Sequence, residues 1–441
     1  MQSSATSAVN DSSYILEHQC PQCGAAVSLS ETDRIFTCPF CRVRLIISFP
    51  EFPSLYFPCP PSREQDCFYV PYWRCKGIKY SLTPRGVEPS LVDSSFCALP
   101  TTPSLFPSTL GIRSQTLRMR FVEPASPGVF LSPQTAFASV KTTVAYTLVR
   151  QQEFMESFTS LFSNEPPTAE MQTAAALPPI EALIGELVSL VFSPFYISQN
   201  FLFDGITSEK VAPWPENTVQ MLDTRPPGPA FISTLCPECG WTLRAESDSL
   251  ALVCGKCGKA WSAAPRGLTP LDFFLCSTSI PASQWLPFWR LDISAPSAVF
   301  GSFADFIRLT KTPKAVLPEM EKQKFFLWVP AFKANPNLFL LLSKLMTFNQ
   351  KEMAFSDMFP NDSSFYPVTL PASEGFEAAR IILGDMSPAK PKTLPVIKDL
   401  SLSLTASTLV YVPFVLKGPE YFQPNLNFVV MANALKWGRM M

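Results

Sequence analysis

Eight of the thirteen cysteines fall into four Cys-x-x-Cys pairs: Cys20 and Cys23, Cys38 and Cys41, Cys236 and Cys239, Cys254 and Cys257. Two residues between thiols let one tight turn aim both sulfurs at a single ion. A glycine after the pair (Gly24, Gly240) supplies the positive φ that such a turn wants. The second pair of the first module departs from this, with Arg42 in the glycine position. Two turns facing each other make a tetrahedral four-sulfur site, for which Zn²⁺ is the usual occupant. The expectation is two zinc ions, one per module, each in the setting of a zinc ribbon. Four thiolates leave no position for water or substrate, so such an ion serves to fold about 35 residues that cannot build a core alone. The rival chemistry is electron transfer by a rubredoxin-like iron–tetrathiolate centre, whose second pair normally lies much further from the first.

The elements that must position these sulfurs form an internal repeat. An offset of 216 maps each cysteine of the first module onto the second, and also Pro71, Trp73 and Arg74 onto Pro287, Trp289 and Arg290. From Cys20 to Arg74, 11 of 55 positions are identical at that offset, including Leu55/Leu271 and Phe57/Phe273. The unit is a four-cysteine module, a linker and an aromatic strand, Tyr69-Val70-Pro71-Tyr72-Trp73-Arg74 or Trp285-Leu286-Pro287-Phe288-Trp289-Arg290. Looser versions are Trp328–Phe332 and Tyr411–Phe414. Proline belongs at a strand start, an edge or a bulge. Side chains two apart share a face, so Tyr72 and Arg74 point one way and Trp73 the other, with the rings in the core.

The remainder reads as a β-rich α+β chain with short helices. With 45 prolines in 441 residues, many short strands and turns are favoured over long helices. The expected organisation is a disordered start (1–13), a first zinc ribbon (14–48), a β-rich domain (49–163), a linker with a short helix and hairpin (164–228), a second ribbon (229–266) and a second β-rich α+β domain (267–441). Helices are expected at Glu153–Phe162, Ile180–Leu187, Asn337–Met346, Asn427–Trp437 and Ser373–Leu383, the last capped by Ser373 and stopped by Gly384. A hairpin is expected over Leu190–Val211, turned at Asp204-Gly205. Pro-rich linkers are expected at Asn164–Pro179, Asp223–Pro229 and Ser387–Pro395.

Composition narrows the function. A single histidine excludes chemistry that needs two imidazoles. There is no Gly-rich phosphate loop, nucleophile elbow or His–Glu metal helix, so no enzyme is expected. The start shows no secretory signal and no stretch is fit to span a membrane; with the paired thiols, this points to the cytoplasm. Cys59, Cys67, Cys75, Cys97 and Cys276 have no Cys-x-x-Cys partner. Cys75 lies between Arg74 and Lys76, which could lower its pKa, but the equivalent Leu291 marks the slot as apolar. His18 reads as a surface residue or one lying behind the Cys20 ligand. The net charge of −1 hides a segment 74–150 with nine basic and three acidic residues, followed by 151–230 with two and ten. These suit complementary faces. An anion-binding face would centre on Arg113, Arg118 and Arg120, whereas the ribbons lack the clustered cations that nucleic acid needs.

The tandem Cys-x-x-Cys pairs and the aromatic strand, over Cys20–Arg74 and Cys236–Arg290, resemble a loose group of uncharacterised bacterial zinc-ribbon proteins. Some are labelled as transcription-initiation-type, others as similar to the zinc region of the replication-restart helicase. The stretch Ser193-Pro194-Phe195 to Asp204-Gly205-Ile206-Thr207 resembles a hairpin of that group. The resemblance implies zinc at the eight cysteines; its helicase label has no nucleotide-binding loop here to support it. The function expected is a non-enzymatic zinc-binding scaffold or adaptor for a protein partner. The alternatives are a nucleic-acid-binding accessory role for 74–150 and rubredoxin-like electron transfer.

Overall fold

The computed structural model describes residues 14–63, 66–100, 105–111, 118–137, 179–215, 222–277, 282–295, 300–349, 355–356 and 364–438, and the chain they form is β-rich α+β. The expected disordered start, the helix at Glu153–Phe162 and most of the first Pro-rich linker lie outside the described residues.

In the amino-terminal half, β1 (Ile15–Gln19) and β2 (Ala26–Ser30) flank the first cysteine turn, and β3 (Ile35–Thr37) and β4 (Arg44–Ser48) the second. They are followed by β5 (Ser54–Tyr56), β6 (Phe68–Thr83), β7 (Gly86–Cys97), β8 (Met119–Phe121), β9 (Val129–Phe130), β10 (Ile180–Ser198), β11 (Phe201–Asp204) and β12 (Lys210–Pro213). The spine is the long antiparallel ladder of β6 with β10. Tyr72 joins the core on one side of this sheet and Trp73 the core on the other, as alternation requires.

Ile180–Leu187 is not a helix but the start of β10. Its helix-like spacing has a cause in the strand itself. The register slips between Ile184 and Leu187, where Gly185 takes φ +70°. Before the bulge, odd-numbered Leu183 faces the core that even-numbered Val188, Leu190 and Phe192 face after it. One extra residue in a strand buried on both faces thus imitates a helical period. The expected hairpin has two turns rather than one. Gln199 and Asn200, both at positive φ, join β10 to β11, and the loop from Asp204 to Glu209 joins β11 to β12.

The carboxy-terminal half begins with β13 (Ala230–Ser233), β14 (Ala251–Val253), β15 (Ala260–Ala264) and β16 (Gly267–Leu271). Then come β17 (Phe273–Cys276), β18 (Gln284–Ser294), β19 (Leu327–Pro330), β20 (Phe355–Ser356), β21 (Ser364–Phe365), β22 (Ser403–Lys417), β23 (Glu420–Gln423) and β24 (Phe428–Met431). Helices are inserted mainly between β18 and β22. The expected helix at Asn337–Met346 is Pro336–Phe348, its first turn capped by the Asn335 side chain. Ser373–Leu383 is two helices, Ala372–Glu377 and Ala379–Asp385. Ser373 is not the cap, and Gly384 does not stop the second helix. Gly384 is there because a Cβ would lie 2.3 Å from Leu82 Cδ2. Ser387–Pro395 is mostly helix (Lys390–Asp399), with Pro391 in the first turn, where no N–H is missed. Asn427–Trp437 is β24 followed by the helix Ala432–Gly438.

The two aromatic strands have matching surroundings. β6 pairs antiparallel with β10, and β18 with β22. Each long partner also carries a short parallel strand, β5 or β17, and leads into a meander, β11–β12 or β23–β24. On the far side of the aromatic strand lie antiparallel β7 or β19 and parallel β9 or β21. Ala98 N–H donates to Pro71 O at 2.8 Å, and Ala331 N–H to Pro287 O at 3.0 Å. Trp73 Nε1 donates to Thr135 O at 2.7 Å, and Trp289 Nε1 to Leu370 O at 2.8 Å. Both prolines sit inside a long strand rather than at its start. Each lies where the flanking ladder ends, so only its carbonyl is called upon.

The halves are interlocked. Ile78, Tyr80, Leu82, Ile180 and Ile184, at the far end of the β6–β10 ladder, belong to the core of the carboxy-terminal half. β13, just ahead of the second cysteine module, pairs with β4 of the first.

Candidate metal centres

Each cysteine pair sits on a turn of one design. The N–H of the first cysteine donates to the carbonyl five residues on, and the N–H four residues on donates back. The distances are 2.8 Å for Cys20 N to Ala25 O and for Gly24 N to Cys20 O. Cys38, Cys236 and Cys254 repeat the pattern with Val43, Trp241 and Lys259. The residue after each second cysteine is left-handed: Gly24 at φ +72°, Arg42 at +59°, Gly240 at +69° and Gly258 at +70°. Arg42 therefore adopts the conformation that glycine adopts in the other three turns.

The turns converge into two clusters, Cys20/Cys23/Cys38/Cys41 and Cys236/Cys239/Cys254/Cys257, with the sulfurs of each within 4.8 Å of one another. Cys20–Cys41 and Cys23–Cys38 are 3.7 Å apart, Cys236–Cys257 3.6 Å and Cys239–Cys254 3.5 Å. A tetrahedron with 2.3 Å metal–sulfur bonds has edges of about 3.8 Å, so all eight cysteines singled out from the sequence are brought together in sets fit to hold a metal ion.

The thiols are electrostatically frustrated as free groups. At Cys38 the cost of desolvation is outweighed by the N–H groups of Cys41 and Phe40, which lower it to about 6. Cys254, served likewise by Cys257 and Lys256, falls to about 7. Cys41 receives the Val43 N–H, yet desolvation and the sulfurs of Cys38, Cys23 and Cys20 push it up to about 12. Cys257 is pushed to about 12 in the same way. A bound cation is what allows all four sulfurs of a cluster to be thiolates together.

The modules pack on each other. Ile35 and Ile46 of the first share a small core with Leu243, Leu252 and Trp261 of the second. The Arg44 guanidinium donates to Leu243 O at 3.2 Å and to Ala245 O. The N–H groups of Arg34 and Ile35 both donate to Ser247 O. Phe40 and Trp241, on the cysteine turns, stay 68% and 55% exposed.

His18 is not at the surface, and its buried Nε2 has no hydrogen-bond partner among the described residues. Its side chain is 10% exposed, stacked 4.6 Å from the Phe231 ring and edge-on to Phe121, with Nδ1 3.6 Å from Glu123 Oε1. Desolvation lowers its pKa against the pull of Glu123. Cys75 and Cys276 are buried, and burial pushes Cys276 up to about 12. Cys59 and Cys67, which the sequence left without partners, are joined to each other as a disulfide. Among the described residues, most cations of the basic segment are committed to ion pairs. Arg74 binds Glu31 and Asp93, Lys76 lies near Glu31, and Lys79 binds Glu181. Arg118 and Arg120 do share a face, but both converge on Glu17; Arg113 lies outside the described residues.

Among the described residues no helix is long and apolar enough to cross a membrane. No protein-family model, no curated protein and no solved structure matches this chain.

Proposed function

We propose that the protein is a non-enzymatic scaffold or adaptor, built from two copies of one unit and stabilised by two structural zinc ions, that engages a protein partner. The observation carrying this reading is that each centre is closed. Four side-chain sulfurs at tetrahedral spacing fill the coordination of Zn²⁺ and leave it no position for a substrate. Duplication is supported by the 216-residue offset of the cysteines together with the parallel surroundings of β6 and β18. Burial of both modules against each other suits a role in holding shape, and the exposed Phe40 and Trp241 suit contact with another protein. The nucleic-acid alternative is weakened by the closure of Arg118 and Arg120 on Glu17. Electron transfer would require iron in place of zinc.

The test is metal analysis of protein from its native source, with affinity capture run in parallel with and without nuclease. Two zinc per chain and a defined, nuclease-resistant protein partner are the expected results. Iron in the clusters overturns the structural-zinc reading, and capture that collapses with nuclease overturns the protein-scaffold reading.

A further inference from the structure

Away from the sulfur clusters, a cavity of about 260 Å³ opens where the two halves meet. Its walls come from β6, β7 and β10 on one side, and on the other from the chain after β19 and the helix Pro336–Phe348. Most of the lining is apolar, with Ile78, Ile184, Phe332, Phe339 and Leu370 prominent. The bulge of β10 forms part of it. There Gly185 turns its N–H out of the ladder to Glu374 Oε2 at 2.7 Å, opposite Gly77, so two residues without side chains leave the space open.

Two polar side chains line this apolar space without a hydrogen bond or close ion pair among the described residues. The Tyr80 residue is only 2% exposed, and its hydroxyl has no hydrogen-bond partner among the described residues. Lys333 is half-buried, and its ammonium has no ion-pair or hydrogen-bond partner among them. Burial lowers the Lys333 pKa. Glu374 and Asp248 pull it back up, and Arg34 and Lys76 press it down. The other acids nearby are already engaged: both Asp93 oxygens receive Arg74, and Glu31 holds Arg74 and Lys76. A hydroxyl and an ammonium on an apolar wall, neither of them hydrogen-bonded, are donors ready for an acceptor that enters the cavity.

We propose that this cavity is a binding site for a small amphipathic organic acid, its carboxylate between Lys333 and Tyr80 and its apolar body against Ile78, Ile184, Phe332 and Phe339. The volume, just below that of most drug-sized sites, suits a body of medium chain length. The proposal stands whether or not the zinc-scaffold reading does, since no cysteine lines the site.

The test is calorimetric titration of the full chain with octanoate, octanol and octylamine. Octanoate is expected to bind at about 1 mM or tighter, octanol at least tenfold more weakly, and octylamine not measurably. Lys333→Met should weaken octanoate about tenfold or more. Tyr80→Phe, which keeps the ring and so the packing, should weaken it about fivefold. Unchanged metal content and circular dichroism identify the variants as folded. Equal binding of octanoate and octanol, or octanoate binding indifferent to both substitutions, overturns the proposal, as does no binding at all. A short peptide with a free carboxy-terminal leucine that outcompetes octanoate would overturn the assignment to a free acid.

Discussion

At the scale of single residues, Arg42 is the plainest strain. A side chain at φ +59° costs about 1 kcal/mol relative to glycine, and its three counterparts are glycines. Arg42→Gly should therefore raise the unfolding free energy by roughly 0.5–1 kcal/mol, seen as a higher urea midpoint with an unchanged slope. Lys333 makes the opposite case, of strain kept for use. Its folded pKa lies below the unfolded 10.5, so the protonated amine opposes folding below the folded value. That penalty fades as pH rises toward 10.5. Lys333→Met should melt higher than the parent at pH 7, and the gap should narrow as pH is raised toward 10. Equal melting temperatures across that range would refute the assignment of burial to this amine. The two four-cysteine clusters were legible in the sequence because spacing alone makes a cysteine turn. Lys333 and Tyr80 were not, since an apolar wall assembled from two halves leaves no local pattern in either.

At the scale of elements, close approach explains what propensity missed. Gly384 reads as a helix stop, yet it lies within the helix, where Leu82 and Leu394 press close enough to leave no room for a Cβ. Gly384→Ala, ordinarily favourable inside a helix, should here destabilise by about 1–3 kcal/mol through overpacking. Thermal unfolding of the two proteins side by side checks the sign. The β-rich α+β class and the long aromatic strands were legible, because paired aromatics and prolines punctuate them. The Ile180–Leu187 stretch was not, because a β-bulge shifts the two-residue alternation by one and leaves a helix-like spacing behind. The helix Lys390–Asp399 was hidden by its prolines, which a first turn tolerates and a short helix survives. The Cys59–Cys67 link escaped because an eight-residue separation carries no metal-turn signature.

At the scale of the molecule, distant parts of the chain are tied together by backbone ladders as well as packing. β6 and β10 are separated along the chain by residues 138–178 among others, yet pair from Phe68–Phe195 to Leu82–Ile180. A protease site placed within 138–178 and cut in the purified protein should leave both fragments eluting together at the intact size under native conditions. Fragments that separate would show that the β6–β10 ladder does not hold the two pieces together. The same ladder also bears on how the protein is born. Thr83 ends β6 and Ile180 begins β10, and at the pace of a ribosome the interval between them lasts roughly 5–20 s. Through that time the nascent chain carries the long, apolar edge of β6 without its mate, while β4 waits longer still for β13. Synthesis thus exposes a sticky strand on a schedule set by topology, and slowing translation between Thr83 and Ile180 lengthens the period in which a neighbouring nascent chain can take the place of β10.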